Sequence, residues 1–176
     1  HIPNIIATSG DDRTAIITNI ATKEIVVKIA AKNELRRLQW ASKSETLAIA
    51  CADGNVYVRL DGGTYYIIKG TKYPLFDVAF NPFSENIIAA TDDGGNVIIF
   101  DVQTKTSQYA LGHDGCARPI AWSPSQKNLL ISGGYDGAIV LWDASSLKIV
   151  SKTNIHSSHI YGIAMHPTLP TIFATA

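Results

Sequence analysis

Ser132, His113 and Asp136 are the three residue types of a hydrolytic triad, in which an imidazole held by a carboxylate activates a serine hydroxyl for acyl transfer. That chemistry needs an exposed nucleophile, an oxyanion hole and a strained elbow, and the chain has no Gly-x-Ser-x-Gly segment to supply them. No residue is therefore assigned a catalytic role. His156, His159 and His166 could be imagined as zinc ligands. However, His156 stands seven residues before Ile163 just as His113 stands seven before Ile120, and His166 takes the polar position held by Ser123, so the histidines follow a repeat and no metal site is assigned. The acidic pairs Asp11-Asp12 and Asp92-Asp93 fall at turns, where Asp serves backbone hydrogen bonding, and a calcium loop would need more oxygen ligands at regular spacing. Phosphate-cradling glycine motifs are absent, and no cofactor is expected.

The elements that carry these residues recur. Leu38-Gln39-Trp40-Ala41-Ser42, Val78-Ala79-Phe80-Asn81-Pro82, Ile120-Ala121-Trp122-Ser123-Pro124 and Ile163-Ala164-Met165-His166-Pro167 are spaced 40, 42 and 43 residues apart. Asp-Gly turns follow three of them, at Asp53-Gly54, Asp93-Gly94 and Asp136-Gly137. A period of about 40 to 45 residues with four short strands per unit is the signature of a β-propeller. The fold expected is all-β, with about four blades of four antiparallel strands bounded near 1–30, 31–70, 71–111 and 112–155 and a partial blade at 156–176. In the fourth repeat, Arg118 to Trp122 reads as the innermost strand, Asn128 to Gly133 as the second, Ala138 to Trp142 as the third and Leu147 to Thr153 as the outer. Gly137 suits a tight hairpin because it takes positive φ without a Cβ clash. Lys148 and Lys152 are charges of the kind that blunt an outer edge. Trp40, Phe80, Trp122 and Met165 share one position of successive inner strands and are expected to pack between blades.

Gly112-His113, Ile120-Ala121-Trp122-Ser123-Pro124, Leu129 to Gly137 and Ile139-Val140-Leu141-Trp142-Asp143 together resemble a full WD40 repeat. The resemblance extends over the whole chain but weakens outside that repeat, which ends Trp142-Asp143 where the third has Phe100-Asp101, the second Arg59-Leu60 and the first Thr18-Asn19. It implies that His113, Ser132, Asp136 and Trp142 form a buried structural tetrad. Asp136 would accept from His113, whose other nitrogen meets the Ser132 hydroxyl, which accepts from the Trp142 indole; every buried polar group then has a partner. Elsewhere the set is incomplete: Thr8 and Asp12 persist in the first repeat, Asp53 and Asp93 stand nearly alone, and His156 begins a new set.

The resemblance also implies a binding face, built from the positions that open each inner strand, Arg36, Phe76, Arg118 and Tyr161, and from those just before the turn Asp, read as Asp11, Ala52, Asp92 and Tyr135. Arg118, Tyr135, Tyr161, Phe76 and Arg36 are the candidate protein-binding residues, since Arg and aromatic side chains dominate interface hot spots. The expected function is a non-catalytic scaffold or adaptor that binds partner proteins or peptides as a subunit of a larger complex. The alternative is a non-catalytic subunit of an enzyme or of a nucleic-acid-processing complex.

Composition narrows the classes further. The 176 residues are 46% hydrophobic and 17% charged, enough to build a core and too little charge to solvate a disordered chain. Fifteen basic residues balance fifteen acidic ones, and Arg36-Arg37 is the only adjacent basic pair. No broad positive field is available for a phosphate backbone, so direct nucleic-acid binding is not expected. Cys51 and Cys116 do not make a secreted disulfide framework, no apolar run approaches a membrane span, and an intracellular location, cytoplasmic or nuclear, follows. Seven blades of this period would need about 290 residues, and His1 to Thr8 corresponds to Pro167 through Thr175, so His1 reads as a cut or processing point. The chain is therefore expected to be part of a seven-bladed propeller; the alternatives are a closed four-bladed ring in which Ile160 to Met165 supplies the first blade's inner strand, and a ring completed by another chain.

Overall fold

A computed structural model describes residues 4–60, 63–169 and 171–176. His1, on which the reading of the chain's start rests, lies outside them. The strands fall into five antiparallel sheets. The first contains β1 (Ile5–Ser9), β2 (Thr14–Asn19) and β3 (Glu24–Ala30). The second runs β4 (Leu35–Trp40), β5 (Leu47–Cys51), β6 (Val56–Arg59) and β7 (Tyr65–Ile68). The third runs β8 (Leu75–Asn81), β9 (Ser84–Asp92), β10 (Asn96–Asp101) and β11 (Thr106–Leu111), and the fourth β12 (Ala117–Trp122), β13 (Leu129–Gly134), β14 (Ala138–Asp143) and β15 (Lys148–Asn154). A last pair joins β16 (Ile163–Met165) to β17 (Phe173–Thr175). Every hydrogen-bonded neighbour is also a neighbour in sequence, the up-and-down order of propeller blades. Residues 160–165 do not supply an inner strand to the first sheet: among the described residues β1 pairs with β2, and β16 pairs with β17.

The core lies between sheets. Alternate residues of a strand point to opposite faces, and the middle strands use both. In β5, Leu47, Ile49 and Cys51 join Ala15, Ile17 and Ile29 of the first sheet, while Ala48 and Ala50 join Leu75, Ile88 and Phe100 of the third. In β13, Leu130 packs toward Ala89 and Val97 of the third sheet, and Ile131 toward Ile160 and Phe173 beyond it. This double burial explains the near-continuous apolar runs of β5 and β13 in place of a polar–apolar alternation. Trp122 adds a directed link by donating its indole N–H to the Ala79 carbonyl at 2.9 Å, and Phe80 and Met165 also pack into inter-sheet clusters.

Two local features set up the site. In the second, third and fourth sheets the inner strand is bulged at its first residues, between Leu35 and Leu38, Leu75 and Asp77, and Ala117 and Ile120. A bulge re-aims the side chains beside it, and Arg36, Phe76 and Arg118 are the residues so placed. The second feature corrects the turn alignment. Positive φ belongs to Gly54, Gly95 and Gly137, and in the first sheet to Arg13 at 65°. The third turn is therefore built on Gly95, with Gly94 where Asp136 stands in the fourth, and it is Asp93, not Asp92, that matches Tyr135.

Candidate functional site

The fourth sheet brings His113, Ser132, Asp136 and Trp142 into one hydrogen-bonded line. His113 Nδ1 lies 3.0 Å from Asp136 Oδ1, His113 Nε2 lies 2.8 Å from Ser132 Oγ, and the Trp142 indole N–H donates to Ser132 Oγ at 2.9 Å. Ser132 and Trp142 are fully buried and His113 nearly so. Burial pushes the His113 imidazole below its ordinary range, against the opposing pull of Asp136. The neutral ring then donates from Nδ1 to Asp136 and accepts the Ser132 proton at Nε2. Burial pulls Asp136 upward, but the Asp114 backbone N–H, His113 and Lys152 outweigh it and hold the carboxyl at about 2. The Ser132 hydroxyl is inaccessible and bonded on both sides, which is the opposite of a poised nucleophile.

Neighbours that sequence reasoning did not connect complete this line. Lys152 reaches back from β15 to Asp136 at 3.0 Å and to Asp114 at 3.4 Å, so it is a partner of the buried acid more than a guard on the sheet edge. A Cβ on Gly134 would stand 2.3 Å from His113 Nδ1, and one on Gly112 would stand 2.2 Å from Trp142 Cζ2; both rings need a glycine beside them.

The other sheets keep fragments of the arrangement. His156 Nε2 meets Thr175 Oγ1 at 2.7 Å, in the same register as His113 and Ser132. Asp53 accepts from the Tyr57 hydroxyl and the Asn55 N–H. Thr8 and Asp12 do not meet, since Thr8 approaches the Ile16 carbonyl and Asp12 accepts from Thr14. In the third sheet the buried acid is Asp92, which accepts from Thr71 Oγ1 at 2.6 Å and from the Gly94 and Asn96 N–H groups. Asp93 is freed for the surface. The three histidines first weighed as metal ligands go separate ways: His156 to Thr175, His159 to the rings of Tyr135 and Tyr161, and His166 to the backbone of Thr168 and Leu169.

All five candidate binding residues meet in one continuous chain of stacked side chains. The Arg36 guanidinium carbon lies 5.6 Å from the Phe76 ring centre, and that of Arg118 lies 3.8 Å from the same ring and 4.5 Å from Tyr135. Tyr135 stacks on His159 at 3.8 Å with planes 7° apart and meets Tyr161 edge-on at 5.7 Å, and His159 Nδ1 lies 3.2 Å from the Tyr161 hydroxyl. Cation–π and offset aromatic contacts of this kind hold flat side chains in place while leaving their edges to solvent. Tyr161 is 58% exposed. Asp93 anchors the basic end, 3.3 Å from Arg36 and 3.8 Å from Arg118. His159 and Asp93 were missed in the sequence, His159 because it sits in a polar loop with no repeat position and Asp93 because Gly94-Gly95 offers two candidate turn glycines.

Comparison with known proteins agrees with this architecture. Residues 106–143 match the family model described as WD domain, G-beta repeat. That unit begins with β11, the outer strand of the third sheet, and ends with β14. Over 97% of its length the chain is 23% identical to Histone acetyltransferase type B subunit 2 of Candida glabrata, covering 46% of that protein. Over 95% it is 22% identical to the WD-40 repeat-containing protein MSI3 of Arabidopsis thaliana, covering 43%. It is also 24% identical to Protein transport protein SEC31 of Chaetomium globosum, covering 13% of it. A chain in the crystal structure of a mitotic checkpoint complex superposes with a TM-score of 0.84 at 18% identity, over 96% of this chain and 54% of that one. The chain thus spans less than half the length of these curated relatives.

Proposed function

We propose that this chain, a WD40-repeat protein, is a non-catalytic scaffold that binds partner proteins or peptides through the surface carrying Arg36, Phe76, Arg118, Tyr135 and Tyr161, as a subunit of a larger assembly. The observation that carries the reading is the stacked chain itself. Four successive sheets each contribute to it, through bulges and turns at matching positions, and the result is a rigid band of Arg and aromatic side chains. Such side chains lose little conformational entropy on binding and supply most of the energy at protein interfaces. The buried, doubly bonded Ser132 supports a structural role for the tetrad and directs attention to this surface. A relative named as a subunit of a histone acetyltransferase supports membership in an assembly. Cys51 and Cys116 are free thiols, which suits a reducing compartment and supports an intracellular location.

The test is replacement of Arg118, Tyr135 and Tyr161 together by Ala, followed by quantitative affinity capture. Partner recovery should fall by well over tenfold, since single hot spots are worth about 2 kcal/mol or more, while the protein stays folded, its melting temperature lowered by the lost stacking of Arg118 and Tyr135 but its tetrad and inter-sheet clusters intact. Equal recovery of every partner by the folded triple variant would refute the proposal.

A further inference from the structure

The basic end of the band holds an ion-pair arrangement that is poorly satisfied within the protein. Arg118 is 85% buried by its side chain's remaining exposure of 15%, yet among the described residues its guanidinium makes no hydrogen bond. Its nearest acid, Asp93, stands at 3.8 Å, and its Nε is buried without a partner. Arg36 fares only slightly better, with Asp93 at 3.3 Å and the Leu75 carbonyl at 3.4 Å. Charge-assisted Arg–carboxylate bonds settle at about 2.7–2.9 Å and favour two parallel contacts per guanidinium, whereas here both Asp93 oxygens fall on the single Arg36 nitrogen Nη1 in long bonds of 3.3 and 3.4 Å and none reaches Arg118. Asp93 cannot move closer as a unit, because its backbone N–H is fixed to the Pro74 carbonyl at 2.9 Å. A neighbouring acid, Asp77, is committed elsewhere: it accepts from the Val78 and Ile120 N–H groups and lies 3.8 Å from Arg37.

We infer that Arg36 and Arg118 form a clamp for a ligand carboxylate, which displaces Asp93, and that the segment bound is an acidic peptide whose acid lies about three residues from an apolar or aromatic side chain seated on Tyr161. Charge selects the acid: Arg36 and Arg118 both turn to the single carboxylate of Asp93, and the packing of Arg118 against Phe76 and Tyr135 leaves its in-plane N–H donors as the groups to be filled. Geometry selects the spacing. Tyr161 lies one ring beyond Tyr135, 5.7 Å from it, and Tyr135 lies 4.5 Å from Arg118, a path covered by about three residues of extended chain at about 3.3 Å each. Asp93 then acts as an internal competitor. It keeps the two arginines from binding weak anions and sets the threshold a partner's carboxylate must exceed.

The inference rests on the proposed binding surface, and the experiment separates the two. The whole chain is used to select from a random dodecapeptide display library, and enriched peptides are synthesised with a fluorescent label and titrated by anisotropy. Enriched peptides should carry Asp or Glu with an aromatic or large aliphatic residue about three positions away. Arg118→Gln should weaken them more than tenfold, and Asp93→Asn should tighten them by about threefold to tenfold because the competing charge is gone. Both variants should melt within a few degrees of wild type. Enriched peptides without an acid, lost by the Arg118, Tyr135 and Tyr161 triple variant, would overturn the clamp and leave the binding surface standing. Tightening absent or reversed in Asp93→Asn would also overturn the clamp. Peptides bound equally by the triple variant, or no enrichment at all, would overturn both.

Discussion

Ser132→Ala removes one oxygen and strands two buried groups. The hydroxyl is the shared link of the fourth sheet, 2.8 Å from His113 Nε2 and 2.9 Å from the Trp142 indole nitrogen, and none of the three residues has exposure to recruit water. A buried polar group left without its partner costs about 1–3 kcal/mol, so stranding two should cost about 2–6 kcal/mol. For a chain of this size that is a fall of about 2–4 °C in melting temperature per kcal/mol. Trp142→Phe provides the control. In the wild type it leaves a cavity but keeps the Ser132 bond to His113; in the Ser132→Ala background it also deletes the stranded indole donor. The double variant should therefore be more stable than the two single losses added together, by about 1 kcal/mol or more. Urea titrations of the four proteins measure this directly. A Ser132→Ala loss below about 0.5 kcal/mol, or additivity within that margin, would refute the view that the hydroxyl joins both rings.

Acid should destabilise the protein in two stages. His113 has a folded pKa below its ordinary value, so the unfolded chain takes up its proton first; stability is complete above about pH 6.5 and declines as the pH falls below it. Asp136, held at about 2, contributes stability that is present above the ordinary carboxylate value and is lost as pH falls through about 2. Subtracting the melting-temperature profile of His113→Asn from that of the wild type isolates the upper stage, and a flat difference between pH 7 and 5 would disprove it. Gly134→Ala should cost about 1–3 kcal/mol by driving a methyl into His113, seen as a lowered denaturation midpoint, whereas Gly63→Ala meets no neighbouring atom and reports only the cost of its positive φ. Lys152→Met should lower stability by up to about 1 kcal/mol at low salt, less at high salt, as the partly exposed Lys152–Asp136 pair is lost.

The parts of this molecule legible in the sequence are those where one residue type has one use. The 40- to 43-residue spacing of the inner strands, the apolar middle strands and the His113, Ser132, Asp136 and Trp142 set all follow from burial, which admits few substitutes. Arg36, Phe76, Arg118 and Tyr161 could be placed on one surface because position within the repeat determines which rim a residue occupies. Their mutual contacts could not be read, since these depend on bulges at Leu35, Leu75 and Ala117 that no residue type announces. The slip between Asp92 and Asp93 has a simple cause: two acids precede two glycines, and only the backbone angle at Gly95 decides which pair is the turn. Lys152 is long enough to reach either solvent or Asp136, and the presence of Asp114 beside the buried acid tips it inward.

The sharing of each middle strand between two interfaces affects how the protein comes apart. Because Leu47 and Ala48 sit next to one another yet belong to different inter-sheet clusters, as do Leu130 and Ile131, the second, third and fourth sheets cannot detach without stripping a face from both of their neighbours. Opening is therefore a matter of adjacent units failing together, in the manner of a row of coupled spins. Amide protons of β5, β9 and β13 should exchange only through openings that involve two interfaces at once, while those of β15, whose side chains are exposed along its whole length, exchange through local fraying. Rigidity in this protein is a property of the boundaries between sheets, and it is along those boundaries that a partner bridging Arg36, Arg118 and Tyr161 would restrain motion in two sheets and the final strand pair with a single binding event.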